Sequence, residues 1–141
     1  MQLLPSQAFG FNPDTKLWLD GGHNEDAGRA ISSTLKELQK DGKVTVILSM
    51  LQHKNPADFV KQFIDHCNAL FITQLPNEPK SFSASNLSEL LKEIPHKTAE
   101  AYKDALEQAK SQNPAHILIT GSLYLAGHVL QDLEDIGHNK E

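Results

Sequence analysis

Four segments of the chain are almost continuously apolar, and each is only four to seven residues long. They occupy residues 16–19, 44–50, 69–75 and 116–120 and are rich in leucine and β-branched residues. Apolar runs of this length that do not alternate with polar residues are typical of strands covered on both faces of a sheet. The pattern therefore predicts four buried β-strands.

Segments with helical periodicity lie between and after these strands. Apolar positions three or four residues apart predict helices at residues 27–38, 57–67, 87–94, 102–109 and 123–136. Pro56 stands where the first turn of a helix tolerates proline, and Gly42 and Pro114 follow two of the helices. This order predicts an α/β fold, a mostly parallel sheet flanked by helices on both faces.

Three polar loops come directly after predicted strands and before predicted helices. They are residues 20–25, 52–56 and 121–122, and residues 76–85 form the longest irregular segment. Open α/β sheets bind their ligands at the carboxyl ends of the parallel strands. These loops are therefore candidate ligand-binding loops.

The first loop is the pentapeptide Asp20-Gly21-Gly22-His23-Asn24. Its two glycines permit a sharp turn and a close approach to a ligand, and Asn24 is placed to cap the following helix. The carboxylate of Asp20 suits ribose hydroxyls or a metal-bound water, and the imidazole of His23 suits a base or a phosphate. A helix cap beside a solvent-exposed histidine explains the same spacing equally well.

The other two loops place a lysine and a serine just before predicted helices. Lys54 precedes a helix start, where free backbone N–H groups favour a carboxylate or a phosphate. An ordinary surface lysine is the simpler interpretation. Ser122 presents a hydroxyl at another helix start, and a plain serine N-cap accounts for it as well.

Composition and charge restrict the class of protein. The 141 residues are 39% hydrophobic, which suits one domain with a continuous core. The formal net charge is −5 and the basic residues are scattered, which argues against a nucleic-acid surface. No apolar stretch reaches the roughly 18–20 residues of a membrane span, and we expect a cytoplasmic protein. The single cysteine, Cys67, lies on an apolar helical stripe, which predicts an inert, buried thiol.

Several sequence signatures are absent from the 141 residues. There is no G-x-x-x-x-G-K-[ST], so the chain does not supply a phosphate cradle of its own. The first strand is not followed by G-x-G-x-x-G, and no G-x-S-x-G elbow occurs. The seven histidines form no cluster with metal-ligand spacing, so no metal site is predicted.

With these loops in this order, the chain resembles the C-terminal domain of bacterial folylpolyglutamate synthase / dihydrofolate synthase, in the Mur ligase superfamily. LWLDGGHNEDAGRAI at 17–31 is similar to the family's D-G-[AG]-H-N-P strand-to-helix junction. ILITGSLYLAGHVL at 117–130 is similar to its T-G-S-L-Y-L-x-G-x-[VL] signature. MLQHKNPADFV at 50–60 and PNEPKSFSAS at 76–85 resemble further blocks, so the likeness covers nearly the whole chain.

The resemblance implies a Rossmann-like domain over residues 1–141 that works in an ATP-dependent ligase. In this family a folate or pteroate carboxylate is phosphorylated, and the amine of L-glutamate attacks the acyl phosphate. The family's N-terminal P-loop domain, absent from this chain, would be the partner and would hold most of the Mg²⁺ that accompanies ATP. We expect an excised domain that folds as a monomer but does not catalyse alone.

The resemblance also implies roles for individual residues. Asp20 and His23 would face the ATP ribose and base, with Asn24 shaping the turn. Lys54 and Ser122 would lie towards the incoming glutamate. No residue is singled out as the catalytic acid or base.

Some positions depart from the family pattern. Glu25 replaces the usual proline, which suits the first turn of a helix. His53 and Asn55 replace the two acids around Lys54, which changes the local charge, and Ser49 and Lys80 replace glycine and arginine.

Two other interpretations of the chain stay open. One is a free-standing Rossmann-like nucleotide-binding or regulatory module such as a receiver, although the third predicted strand ends in Thr73-Gln74-Leu75 without the required acid. The other is the C-terminal domain of a cell-wall Mur ligase.

Overall fold

The computed structural model describes residues 1–139, which form one mixed sheet with helices on both faces. The strands are β1 (Gln2–Leu4), β2 (Lys16–Asp20), β3 (Val44–Leu48), β4 (Ala69–Ile72), β5 (Lys97–Thr98) and β6 (His116–Thr120). The helices are α1 (Glu25–Leu38), α2 (Pro56–Val60), α3 (Ala84–Leu90), α4 (Tyr102–Lys110) and α5 (Leu123–Asn139). Short 3₁₀ helices cover Ser6–Phe9, Gln39–Asp41 and Ile64–His66.

The six strands of the sheet are ordered β1-β2-β6-β3-β4-β5. Strand β1 is antiparallel to β2, and every other neighbouring pair is parallel. All four predicted strands are present, although β3 ends at Leu48 and β4 ends at Ile72, a few residues before their predicted ends. The prediction of a mostly parallel α/β sheet is therefore confirmed, and the edge strands β1 and β5 are additions to it.

The sheet separates two hydrophobic cores, and alternate residues of each inner strand enter opposite cores. In β3, Ile47 packs in the core beneath α4 and α5, whereas Val46 and Leu48 pack in the core beneath α1, α2 and α3. Strand β6 divides in the same way, with Ile117 and Ile119 on the first side and Leu118 on the second. Both faces of the inner strands are covered, and this explains why their sequences are apolar without alternation.

Two helices differ from their predicted bounds. Helix α2 ends at Val60, and backbone bonds of the i→i+3 type from Gln62 to Phe59 and from Phe63 to Val60 tighten the chain after it. Helix α3 begins at Ala84, three residues earlier than predicted, because the Ser83 hydroxyl accepts a hydrogen bond from the Asn86 amide at 3.1 Å. Among residues 1–139, no helix has both the length and the apolar character needed to cross a bilayer.

A partly buried polar network centred on His116 connects the amino ends of β2 and β6. The indole N–H of Trp18 donates to Nδ1 of His116 at 3.0 Å, and Nε2 of His116 lies 2.8 Å from a carboxylate oxygen of Asp41. Because Nδ1 accepts from the indole, the proton of the neutral imidazole sits on Nε2 and is donated to Asp41. The network therefore anchors the sheet at the end opposite to the three predicted loops.

The cysteine is partly buried against the core that contains α1, α2 and α3. Burial, together with the nearby negative charge of Asp65, raises the pKa of the Cys67 thiol to about 12. The thiol is therefore protonated at neutral pH, as the prediction of an inert cysteine requires.

Candidate functional site

The three predicted loops meet because their strands are neighbours that end at one level. Strand β6 lies between β2 and β3, and the register places Thr120 opposite both Asp20 and Leu48. The helices that follow β2 and β3 pack on one face of the sheet, and the helix that follows β6 packs on the other. Adjacent loops diverge at such a point and leave a crevice between them, which is the usual ligand position in this architecture.

A cavity of about 260 Å³ occupies this crevice. It brings together three of the predicted site residues, namely His23, Lys54 and Ser122. The remaining lining residues are Leu51, His53, Gly121, Leu123 and Tyr124. The cavity therefore combines His23, predicted to bind ATP, with Lys54 and Ser122, predicted to bind glutamate. Asp20 and Asn24, also predicted on the ATP side, do not line it.

The turn after β2 is held by Asp20. One carboxylate oxygen of Asp20 accepts a hydrogen bond from the Gly22 amide at 2.7 Å, and the other lies 3.5 Å from the amino nitrogen of Met1. A Cβ atom at Gly21 would lie 2.5 Å from a methyl carbon of Leu123, so a larger residue there would displace the exposed Leu123 side chain at the start of α5. Asp20 therefore shapes the loop, and its side chain is still 23% exposed.

The two residues that complete this loop have different environments. Nδ1 of His23 is buried and has no hydrogen-bond partner among the described residues. A buried ring nitrogen without a partner destabilises the fold unless a ligand or a water molecule forms a hydrogen bond with it. Asn24 is exposed, and its side-chain oxygen accepts from the Ala27 amide at 2.9 Å, so the predicted N-cap of α1 is present.

Lys54 lies on the turn between β3 and α2. Its side chain is half-buried, and no carboxylate of the described residues lies within 4.0 Å of its ammonium group. Helix α2 has only five residues, and the Asn55 side chain already accepts a hydrogen bond from the Asp58 amide at its start. The charge of Lys54, more than the helix terminus, therefore makes this part of the cavity attractive to an anion.

Ser122 is buried at the junction of β6 and α5, with an exposed fraction of 3%. Its Oγ accepts from the amides of Tyr124 at 3.0 Å and Leu125 at 3.4 Å, as a serine N-cap does. The hydroxyl proton stays available to a ligand because both of these bonds use the oxygen as acceptor. The predicted cap is present, and it does not compete with a binding role.

Sequence reasoning did not assign His53, Leu51, Leu123 or Tyr124 to the site. Leu123 and Tyr124 are 70% and 59% exposed, although they adjoin the buried Ser122. His53 lies in the predicted loop 52–56, and Leu51, Leu123 and Tyr124 lie in the segments that resemble the family, which were the signals available. Leu51, Leu123 and Tyr124 give the cavity apolar surface.

A larger cavity of about 690 Å³ lies further along the same edge, at the ends of β4 and β5. None of the predicted site residues lines it. Its lining is polar and consists of Gln74, Ala84, Ser85, Ser88, Glu89, Thr98, Ala99 and Glu100. We take the smaller cavity as the candidate site because it holds the residues of all three loops.

The donor set of the candidate site suits anions better than a metal ion. Its titratable lining residues are His23, His53, Lys54 and Tyr124, and no carboxylate lines it. Among residues 1–139, no three His, Cys, Asp or Glu side chains are grouped as metal ligands. Hard cations such as Mg²⁺ prefer carboxylate and other oxygen ligands, so these residues do not fit a resident magnesium ion.

Comparison with known proteins identifies relatives over most of the chain. The family described as "Dihydrofolate synthetase, C-terminal domain" matches residues 10–132. Folylpolyglutamate synthase of Lacticaseibacillus casei is 28% identical over 116 residues, which are 82% of this chain and 26% of that protein.

Solved structures give the same result at the level of the fold. The bifunctional folylpolyglutamate synthase/dihydrofolate synthase of Yersinia pestis, complexed with AMPPNP and Mn ion, is similar with a TM-score of 0.73 and 25% identity. That match covers 84% of this chain and 28% of the other. A structure of such a bifunctional enzyme with Mn, AMPPNP and L-glutamate bound also has a TM-score of 0.73 and 25% identity, over 93% of this chain and 32% of the other. The chain thus spans about a quarter to a third of the length of these relatives.

Proposed function

Because this chain belongs to the family of dihydrofolate synthetase C-terminal domains, we propose that it forms the glutamate-ligating side of an ATP-dependent folate ligase. The reaction joins L-glutamate to dihydropteroate or to a folate through an acyl phosphate. The observation that carries the proposal is the single cavity that unites His23, Lys54 and Ser122 at the carboxyl edge of the sheet.

The side chains of the cavity suit the amino acid that attacks the acyl phosphate. The ammonium group of Lys54 pairs with a carboxylate of glutamate, and the hydroxyl of Ser122 donates to the same carboxylate. This fixes the amino acid so that its neutral amine meets the acyl carbon. The new C–N bond forms while the bond from that carbon to the phosphate oxygen breaks, phosphate leaves, and the amine releases one proton to the leaving phosphate or to solvent. Positioning of this kind accounts for a large part of catalysis in reactions between two bound substrates.

The turn at residues 20–24 suits the nucleotide side of the same cleft. In this proposal the carboxylate oxygen of Asp20 that does not bind Gly22 accepts from ribose hydroxyls in place of its contact with the Met1 amino nitrogen. Nδ1 of His23, which has no hydrogen-bond partner within the described chain, forms a hydrogen bond with the nucleotide. Asn24 acts indirectly, because its cap on α1 holds the turn in shape.

The remaining parts of the ligase belong, in this proposal, to a P-loop domain of the same polypeptide. That domain binds the phosphates of ATP and most of the accompanying Mg²⁺, and residues 1–141 form a single domain beside it. Strand β1 runs antiparallel to β2 and places Met1 beside Asp20 at the edge of the site. The exposed Leu123 and Tyr124 are covered when the two domains close and exclude water.

Closure also explains why the chain alone should not catalyse. Without the P-loop domain there is no phosphate cradle and no acyl phosphate for the amine to attack. We expect the isolated chain to be an inactive monomer, and its cytoplasmic location stays a prediction.

The test begins with the native polypeptide, isolated from the source cells with an antibody against this chain. We expect a mass about three times the 15.6 kDa of the chain, since 82% and 93% of this chain match 26% and 32% of two relatives. The purified protein is assayed for ADP release in the presence of ATP, a pteroate or folate substrate and L-glutamate. ADP release should require all three, and a UDP-muramoyl substrate should not replace the folate.

Variants of that polypeptide then test the individual residues. Lys54→Ala should raise the glutamate concentration required for half-maximal rate, whereas Asp20→Ala and His23→Ala should raise the ATP requirement. Lys61→Ala, which removes an exposed lysine that does not line the cavity, is the matched control. A native protein of 15.6 kDa without ligase activity would refute the proposal. Unchanged glutamate and ATP requirements in the three variants would refute the residue roles alone.

A further inference from the structure

We propose that His53 is a specificity-determining residue that recognises a second carboxylate, so that the cavity selects a dicarboxylic amino acid over the corresponding amide. The inference rests on the proposed glutamate-binding role of Lys54 and Ser122 and deepens it. His53 lines the same cavity and directly precedes Lys54.

The cavity is lined by basic groups and by no acidic residue. Two imidazoles and one ammonium group line it, and no carboxylate does. Lys54 is half-buried without an ion-pair partner within the described chain, so one ligand carboxylate satisfies it. The imidazole of His53 adds a second donor, because even the neutral ring presents one N–H group to an anion. A hydrogen bond to an ionised acceptor is roughly twice as strong as one to a neutral acceptor, so His53 binds the second carboxylate of a dicarboxylic amino acid more strongly than the oxygen of the corresponding amide.

The turn that carries the two residues is rigidly held, as selectivity requires. The Lys54 amide donates to the Leu51 carbonyl at 3.1 Å and closes the turn. Leu51 forms a bridge with Ser81, and the Gln52 amide donates to the Lys80 carbonyl at 2.8 Å. The turn is therefore held against the segment after β4, and the backbone positions of His53 and Lys54 are fixed relative to each other. Preorganised donors discriminate between ligands better than mobile ones.

The size and walls of the cavity agree with a small dicarboxylate. Its volume of about 260 Å³ is less than the roughly 300–1,000 Å³ typical of pockets for drug-sized ligands. Leu51, Leu123 and Tyr124 supply apolar surface for the methylene groups that separate two carboxylates.

The experiment is an NMR titration of the isotopically labelled chain with L-glutamate and, separately, with L-glutamine. Shifts of the backbone amides of Lys54 and Ser122 report binding. The variants are His53→Ala, Lys54→Met and the control His138→Ala. His138 is exposed on α5, and fifteen residues of helix place it about 22 Å from Leu123. Far-UV circular dichroism and the dispersion of the amide spectrum verify that each variant is folded.

We expect His53→Ala to weaken glutamate binding about fivefold, through loss of one hydrogen bond to an exposed charged group. Glutamine binding should weaken less, so the preference for glutamate falls. Lys54→Met should weaken both ligands, and His138→Ala should weaken neither. An unchanged ratio of glutamate to glutamine affinity in His53→Ala overturns the specificity role while the Lys54 result leaves the proposed function intact. If the folded wild-type chain shows no glutamate-dependent shifts, the glutamate role of the cavity and this inference are both overturned.

Discussion

Replacing Gly121 by alanine should damage both the stability of the domain and its candidate site. Gly121 joins β6 to α5 with a φ of +114°, a conformation that residues with a side chain rarely adopt. An added Cβ would lie 2.3 Å from the carbonyl oxygen of Ser49 and 2.7 Å from a methyl carbon of Leu48. The Ser49 oxygen belongs to the backbone, and the Ser49 amide donates to the Thr120 carbonyl at 3.3 Å. Relief of the clash therefore requires a shift of the backbone.

The cost follows from two separate effects. The unfavourable φ of a residue with a Cβ costs about 1–2 kcal/mol, and overpacking against a fixed backbone costs about 1–3 kcal/mol. We therefore expect Gly121→Ala to lower the free energy of unfolding by about 2–5 kcal/mol. This is a large part of the roughly 5–15 kcal/mol that stabilises a typical domain, and it corresponds to a fall in Tm of about 10 °C.

The assay is urea unfolding followed by far-UV circular dichroism, with Gly127→Ala as the matched control. Gly127 lies inside α5, and a Cβ there would meet no atom within 4 Å. Alanine should therefore stabilise the helix by about 0.5–1 kcal/mol. The same substitution is thus predicted to have opposite signs at two glycines only six residues apart. Equal stability of Gly121→Ala and the wild type, with unchanged amide shifts at Ser49 and Ser122, would refute the reasoning.

Three further predictions concern buried polar groups. His116→Leu leaves the indole N–H of Trp18 without its acceptor and should cost about 1–3 kcal/mol by urea unfolding; a loss below about 0.5 kcal/mol would show that the network contributes little. Cys67, with its pKa raised to about 12, should react with iodoacetamide at pH 8 about 10³-fold more slowly in the folded chain than in urea; equal rates would contradict its burial. Burial and the hydrogen bond to Asp132 also raise the pKa of Tyr102, so the folded chain retains protons that the unfolded chain releases. Cys67 and Tyr102 should therefore make a contribution to the free energy of unfolding that is constant below about pH 8 and falls as the pH rises towards 12, and an increase in stability between pH 8 and 12 would contradict the pKa directions.

The inner strands and the helices that cover them were predictable because buried positions require apolar side chains, and the sequence shows these directly. A strand such as β6 is covered on both faces, and every residue from His116 to Thr120 is buried. Its apolar run therefore identifies the element without further information. The same holds for α4, whose buried residues recur at helical spacing and match the predicted stripe. Loop chemistry was predictable in part, because Asn24 and Ser122 cap their helices through contacts only two or three residues away.

The edge strands and the interruption of α2 required the tertiary structure. Strand β5 consists of Lys97 and Thr98, both exposed, and pairs with β4 through backbone groups that carry no sequence pattern. Strand β1 is similar, since two of its three residues are exposed. Helix α2 shortened although its apolar stripe continued to Phe63, because a 3₁₀-type turn also buries that ring.

The sequence by itself determined which elements form and which loops carry polar chemistry, because both depend on short-range patterns of burial and capping. Only the tertiary structure decided that β6 is inserted between β2 and β3, since strand order depends on packing between residues far apart in the chain. That insertion joins His23 to Lys54 and Ser122 in one cavity, adds His53, and leaves Asp20 and Asn24 to hold the turn beside it. The cavity could not be read from any single loop, because each loop contributes only one wall.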